Sequence, residues 1–143
     1  LGGFEKVYAI NHNLSSLEVN SDDFSELIIK LKSGAIVSLH TDMFGREHKK
    51  QFEIKGEKGN IFWSTVDNIV THYDSDSKKK FVFNEFSSDF NLNYITELKH
   101  FIACCEGKEI PLAPLQDGIE TMELILSAYD SVQKSSEVEI IKT

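Results

Sequence analysis

From Phe4 to Phe86 the hydrophobic and polar positions alternate with a period of two, the spacing of half-buried strands. In Phe4–His12, Val7 and Ala9 stand against Tyr8 and Ile10, and Leu14 to Asn20 is a polar connection. In Phe24–Leu31 one set is Phe24, Glu26, Ile28 and Lys30, and the other is Ser25, Leu27, Ile29 and Leu31. The second set is largely apolar and is expected to face the core. Lys32-Ser33-Gly34 turns the chain into a strand over 35–43, which closes a hairpin. A further hairpin joins Gln51–Lys55 to Asn60–Ser64 across Gly56-Glu57-Lys58-Gly59, whose glycines supply the positive φ of a tight turn. Asn68–Tyr73 and Lys80–Phe86 make a last pair across Asp74-Ser75-Asp76-Ser77.

Beyond Phe86 the period changes to 3.6. Tyr94, Leu98, Phe101, Ile102 and Cys105 fall on one face of a predicted helix that Asp89 or Asn91 caps and Gly107 ends. Pro111 and Pro114 keep the next connection extended. A second helix is predicted from about Gln116 to Gln133, with Ile119, Met122, Leu126 and Tyr129 on its buried face. Asp117 and Glu120 lie in its first turn, where the helix dipole favours negative charge. Val138–Ile141 is a closing strand. Strands followed by segregated helices indicate an α+β fold: an open, mainly antiparallel β-sheet with two main helices packed on one face. The other face is then wet or covered by a partner.

Composition narrows the function classes. The 143 residues suit one domain over 1–143 with a single core. No apolar run reaches the ~20 residues of a membrane span, and no charged-then-apolar leader opens the chain. The start, Leu1-Gly2-Gly3-Phe4, has no initiating Met and reads as a piece of a longer protein. A net charge of −8 argues against nucleic acid and against an anionic membrane surface. The basic run Lys78-Lys79-Lys80 reads as a solvated turn. Cys104 and Cys105 are adjacent in a helical pattern, where a disulfide would be strained. Free thiols point to a reducing compartment, the cytoplasm.

Self-contained catalytic equipment is not visible. No Gly-x-Gly-x-x-Gly follows a strand, no Cys or His pairs have zinc spacing, and no Gly-x-Ser-x-Gly elbow holds a serine. Gly56-Glu57-Lys58-Gly59 lacks the Gly-Lys-Ser/Thr ending of a phosphate loop and leads into a strand. One polar constellation remains. Ser38, His40 and Asp42 share a strand face opposite Val37, Leu39 and Met43, and Arg46, His48, Lys49 and Lys50 follow. Its plain reading is a wet sheet face ending in a charged loop. Its functional reading is a polyol site, with Asp42 accepting from hydroxyls and Arg46 or Lys50 holding a carboxylate or phosphate. Trp63 is a core or interface residue, or a platform for a sugar ring.

Several stretches in order resemble the C-terminal domain of the glucose-fructose oxidoreductase, inositol dehydrogenase and rhizopine catabolism (Gfo/Idh/MocA) family. They are Phe4-Glu5-Lys6-Val7-Tyr8-Ala9, then Asp22–Leu31 with Lys32-Ser33-Gly34-Ala35, then Phe52-Glu53-Ile54-Lys55-Gly56-Glu57-Lys58-Gly59-Asn60-Ile61. Asn93-Tyr94-Ile95-Thr96-Glu97-Leu98-Lys99-His100-Phe101 resembles the first long helix. Pro111, Leu115, Asp117-Gly118-Ile119-Glu120 and Ser131 resemble the linker and second helix. The resemblance implies an oxidoreductase parent with its own N-terminal Rossmann domain, absent from this chain, that binds NAD or NADP. It implies that this piece alone binds no cofactor and carries no catalytic residue. Its role would be substrate binding and homo-oligomerisation through the sheet face, with a sugar, polyol or sugar nucleotide as substrate. The stretch Asp42-Met43-Phe44-Gly45-Arg46 with Lys50 looks like members that act on surface-polysaccharide sugars.

Asp42, Arg46, His40, His48 and Lys50 are therefore the candidate substrate-binding residues, and no metal site is expected. The alternative is a non-catalytic binding or dimerisation module that uses the same sheet. A small independent hydrolase is disfavoured, because no nucleophile–base pair is visible.

Overall fold

Eight strands and two helices follow the expected order in the computed structural model, which describes residues 2–83 and 89–142. The strands are β1 (Phe4–His12), β2 (Phe24–Leu31), β3 (Ile36–Asp42), β4 (Gln51–Gly56), β5 (Gly59–Ser64), β6 (Ile69–Asp74), β7 (Lys79–Phe83) and β8 (Val138–Glu139). The helices, α1 (Phe90–Cys105) and α2 (Leu115–Lys134), lie between β7 and β8 in the chain. The part of the predicted strand 80–86 from residue 84 onward lies outside the described residues. All strand pairs are antiparallel, and the fold is α+β.

The strands form two sheets of four, ordered β3-β2-β1-β8 and β4-β5-β6-β7, and the chain divides into two compact units accordingly. The first unit is Leu1–Gly45 with Leu112–Thr143, and the second is Arg46–Pro111.

In the first unit, Val7, Ala9, Leu27, Ile29 and Leu31 form the core with Leu124 and Ala128 of α2 and Val138 of β8. This is the face that alternation assigns to the interior. The buried face of α2 differs from the expected one. Leu124, Ser127, Ala128 and Ser131 are buried, whereas Met122, Leu126 and Tyr129 are exposed, Met122 to 53%. Small side chains let the helix backbone approach the sheet, and a stripe chosen by bulk misses that. The helix starts after Pro114 and ends at Ser135, which takes a left-handed conformation.

The connection between β1 and β2 is organised by a buried carboxylate. Asp23 accepts from the main-chain N–H of Leu14 (2.7 Å) and Ser15 (2.9 Å) and from the Ser15 hydroxyl. These donors, Ser15 foremost, hold its carboxyl below the usual range.

In the second unit, register places Phe52, Trp63, Val70 and Phe83 in one cross-strand row. Ile54, Ile61, His72 and Phe81 form another row on the same face. Phe52 and Trp63 pack with ring centres 5.4 Å apart. Gly59 has φ 147°, and a Cβ there would sit 1.9 Å from the Tyr73 carbonyl oxygen, so the β4–β5 turn admits only glycine. Helix α1 is capped by Asp89, which accepts from the Asn91 N–H at 2.9 Å. Its predicted buried stripe is exposed: Tyr94 to 69% and Phe101 to 62%, with Leu98 and Ile102 also open. Its apolar period makes the helix amphipathic, but it does not by itself bury that face.

Candidate functional site

The open face of the first sheet carries the polar constellation. Cross-strand partners share a face, so register orders it into rows: His12, Phe24 and Asp42, then Ile10, Glu26 and His40, then Tyr8, Ile28 and Ser38. His40 and Asp42 are brought together, and Glu26 joins them. His40 Nδ1 lies 2.6 Å from Glu26 Oε1, and its Nε2 lies 3.0 Å from Asp42 Oδ2. The Phe24 ring meets the imidazole edge-on, with centres 5.4 Å apart.

Asp42 uses its other oxygen locally. Oδ1 accepts from the N–H groups of Phe44 (3.1 Å) and Gly45 (2.5 Å), which fixes the turn as the chain leaves β3. Its side chain nevertheless remains 22% exposed, so a ligand hydroxyl can reach the carboxylate. The bond to His40, then that from Gly45, holds the Asp42 carboxyl below its ordinary range. The Glu26 carboxylate, then Asp42, raises the His40 imidazole above its ordinary value.

The remaining candidates are Arg46, His48 and Lys50, exposed residues of the second unit in the irregular segment before β4. The Lys50 main chain is anchored, with its N–H donating to Thr65 Oγ1 (2.9 Å) and its carbonyl accepting from the Thr65 N–H (2.9 Å). Trp63, half-buried against Phe52, is held by its own sheet.

Glu26 was not among the residues predicted. Counting outward from the Lys32-Ser33-Gly34 turn would have found it, since Lys30 pairs with Ile36 and Glu26 therefore with His40.

A second cluster closes the end of α1. Glu109 reaches the His100 Nδ1, and the His100 Nε2 lies 3.6 Å from the Cys104 sulfur. Burial first, and the charge of Glu109 next, push the Cys104 thiol up. Cys104 is half-buried and Cys105 exposed, both as free thiols.

Dinucleotide phosphates do not fit the one Gly-x-x-Gly of the chain. Gly56–Gly59 joins two strands with no helix N-terminus to receive an anion, and the bare Cα of Gly59 accommodates Tyr73. Among the described residues, no group of three or more His, Cys, Asp or Glu is placed to hold a metal ion. Nor is any described helix long and apolar enough to cross a membrane.

The family model described as the oxidoreductase family (Gfo/Idh/MocA), C-terminal alpha/beta domain, matches residues 1–140. Solved structures share the fold. A levoglucosan dehydrogenase in complex with NADH and L-sorbose superposes with a TM-score of 0.81 at 17% identity, covering 100% of this chain and 46% of that one. An oxidoreductase domain protein from Kribbella flavida gives a TM-score of 0.83 at 14% identity, covering 97% of this chain and 45% of that one. The WlbA dehydrogenase from Bordetella pertussis, in complex with NADH and UDP-GlcNAcA, gives 0.72 at 19% identity, covering 100% and 41%. The chain thus spans less than half the length of these structures. No curated protein matches it in sequence.

Proposed function

This chain belongs to the Gfo/Idh/MocA oxidoreductase family as its C-terminal alpha/beta domain, and on that premise we propose that it is the substrate-binding and subunit-contact half of an NAD(P)-dependent dehydrogenase acting on a sugar, polyol or sugar nucleotide. The observation that carries this reading is the family match over residues 1–140 of a chain whose sequence contains no Gly-x-Gly-x-x-Gly. A nicotinamide bound by an N-terminal Rossmann domain would exchange hydride with a substrate carbinol carbon. The part of this chain is to bind and orient. Asp42 accepts from substrate hydroxyls, with His40 beside it, and Arg46, His48 and Lys50 are the candidates to hold an anionic substituent.

The test is nicotinamide-linked oxidation of a panel of sugars, polyols and sugar nucleotides by the full-length protein, followed by Asp42→Asn. Loss of a hydrogen bond to a charged acceptor predicts a KM about ten- to a hundredfold higher. Activity on no sugar, polyol or sugar nucleotide, or an unchanged KM, would reject the reading.

The second sheet supports the contact role. On its face the rows of Phe52, Trp63, Val70 and Phe83 and of Ile54, Ile61, His72 and Phe81 are apolar but for His72, and charge enters in the next row with Asp74 and Lys79. Most of these side chains are at least partly open. Such a surface suits an apolar partner, and a second copy of the chain supplies one by symmetry. Light scattering over a dilution series should show a concentration-independent dimer. A monomer throughout would remove the contact role and leave the substrate role standing.

A further inference from the structure

The Glu26–His40–Asp42 arrangement has a chemical requirement that the ligand reading does not use. Carboxylates are acceptors only, and a neutral imidazole has one N–H to give. His40 meets a carboxylate oxygen at both ring nitrogens, 2.6 Å away on Glu26 and 3.0 Å away on Asp42. Both bonds exist together only when the ring is an imidazolium. With one proton gone, one carboxylate faces a nitrogen lone pair. The Asp42 carboxylate that His40 holds also receives the Phe44 and Gly45 N–H groups. One carboxylate therefore links the ring to the main chain beyond β3.

We propose that Glu26, His40 and Asp42 form a proton-held clasp, which orders the turn from Asp42 to Gly45 while His40 is protonated and loosens it when the proton leaves. Other charged or titratable groups on this face lie in neighbouring rows. His12 of β1 shares the row of Phe24 and Asp42. Lys30 of β2 is paired with Glu5 at 2.8 Å, and Lys6 of β1 with Glu137 and Glu139 of the segment leading into and forming β8. Tyr8 is one row beyond Glu26. Helix α2 packs against the opposite face, so it presents nothing to the ring.

The sign follows from the two partners. A raised imidazole contributes fully below its ordinary value and loses its contribution as pH rises through the raised one. A lowered carboxyl sets the acid limit, where Asp42 takes up a proton. The clasp is closed between those limits.

The experiment is NMR of the chain with labelled histidine and 15N-labelled backbone, followed across pH. The His40 ring should titrate above the ordinary histidine value, and the Gly45 amide resonance should move with the same midpoint. Glu26→Gln should lower both midpoints together, and Asp42→Asn should abolish the Gly45 response. A wild-type Gly45 amide that is indifferent to the His40 titration, or a His40 that titrates at or below the ordinary value, would overturn the clasp. Both of those readings come from the wild-type chain and do not depend on a variant folding.

Discussion

The Ser131 hydroxyl of α2 accepts the main-chain N–H of Ala9 in β1 at 3.0 Å, and it donates to the Ser136 carbonyl at 2.6 Å. Strand β8 pairs with β1 only at Lys6 and Val7, so the helix side chain serves the β1 backbone where the neighbouring strand has ended. Ser127, one turn earlier, does the same for the far end of β8: its oxygen accepts from the Ile141 N–H at 2.9 Å. Both serines are fully buried. They explain why the helix face against the sheet is partly hydroxylic.

Ser131→Ala should leave the Ala9 N–H buried without a partner. A loss of about 1–3 kcal/mol is expected. In urea titrations the midpoint should fall while the slope stays unchanged. Wild-type stability in the alanine variant would mean that water or a shifted strand satisfies Ala9.

Gly59→Ala and Gly34→Ala should separate crowding from backbone strain. Gly34 has φ 88° with open space around its Cα, so alanine there should cost about 1 kcal/mol. At Gly59 the added carbon meets the Tyr73 carbonyl, and about 3 kcal/mol or more is expected, with loss of the β5–β6 ladder. Thermal melts of the two variants side by side decide it, and equal losses would contradict the predicted clash.

Asp23 should make the chain sensitive to acid. Its carboxyl is lowered in the folded state, so its contribution is present above the ordinary carboxylate range and is lost as pH falls through the lowered value. Asp23→Asn should reduce stability at neutral pH and flatten the acid limb of a stability-against-pH curve. A parallel curve for the variant would show that Asp23 is not the group responsible.

The two thiols should react in a fixed order. Cys105 is exposed, while Cys104 is half-buried with its thiol pushed up by burial and by Glu109. A disulfide reagent at neutral pH should therefore modify Cys105 several-fold faster, since only the thiolate attacks. Peptide mapping that finds Cys104 labelled first would instead indicate that His100 activates it.

The strands, their hairpins and the order of elements were legible because alternation and turn chemistry are local. Residues 4–12 and 24–31 carry a period of two that only a half-buried strand satisfies, and Gly34 and Gly59 mark turns whose φ values other residues resist. The shared face of His40 and Asp42 was equally local, two residues apart on one strand. Contacts between distant residues were a different matter. The division into two sheets, the burial of Ser127, Ala128 and Ser131 in place of Met122 and Leu126, and the place of Glu26 beside His40 follow from which backbones meet. Ser131 and Ala9 are 122 positions apart, and no periodicity links them. Hydrophobic spacing names the faces that are able to be buried. Close packing and the demand of buried N–H groups for partners select among them, and those demands arise only once helix and sheet are in contact.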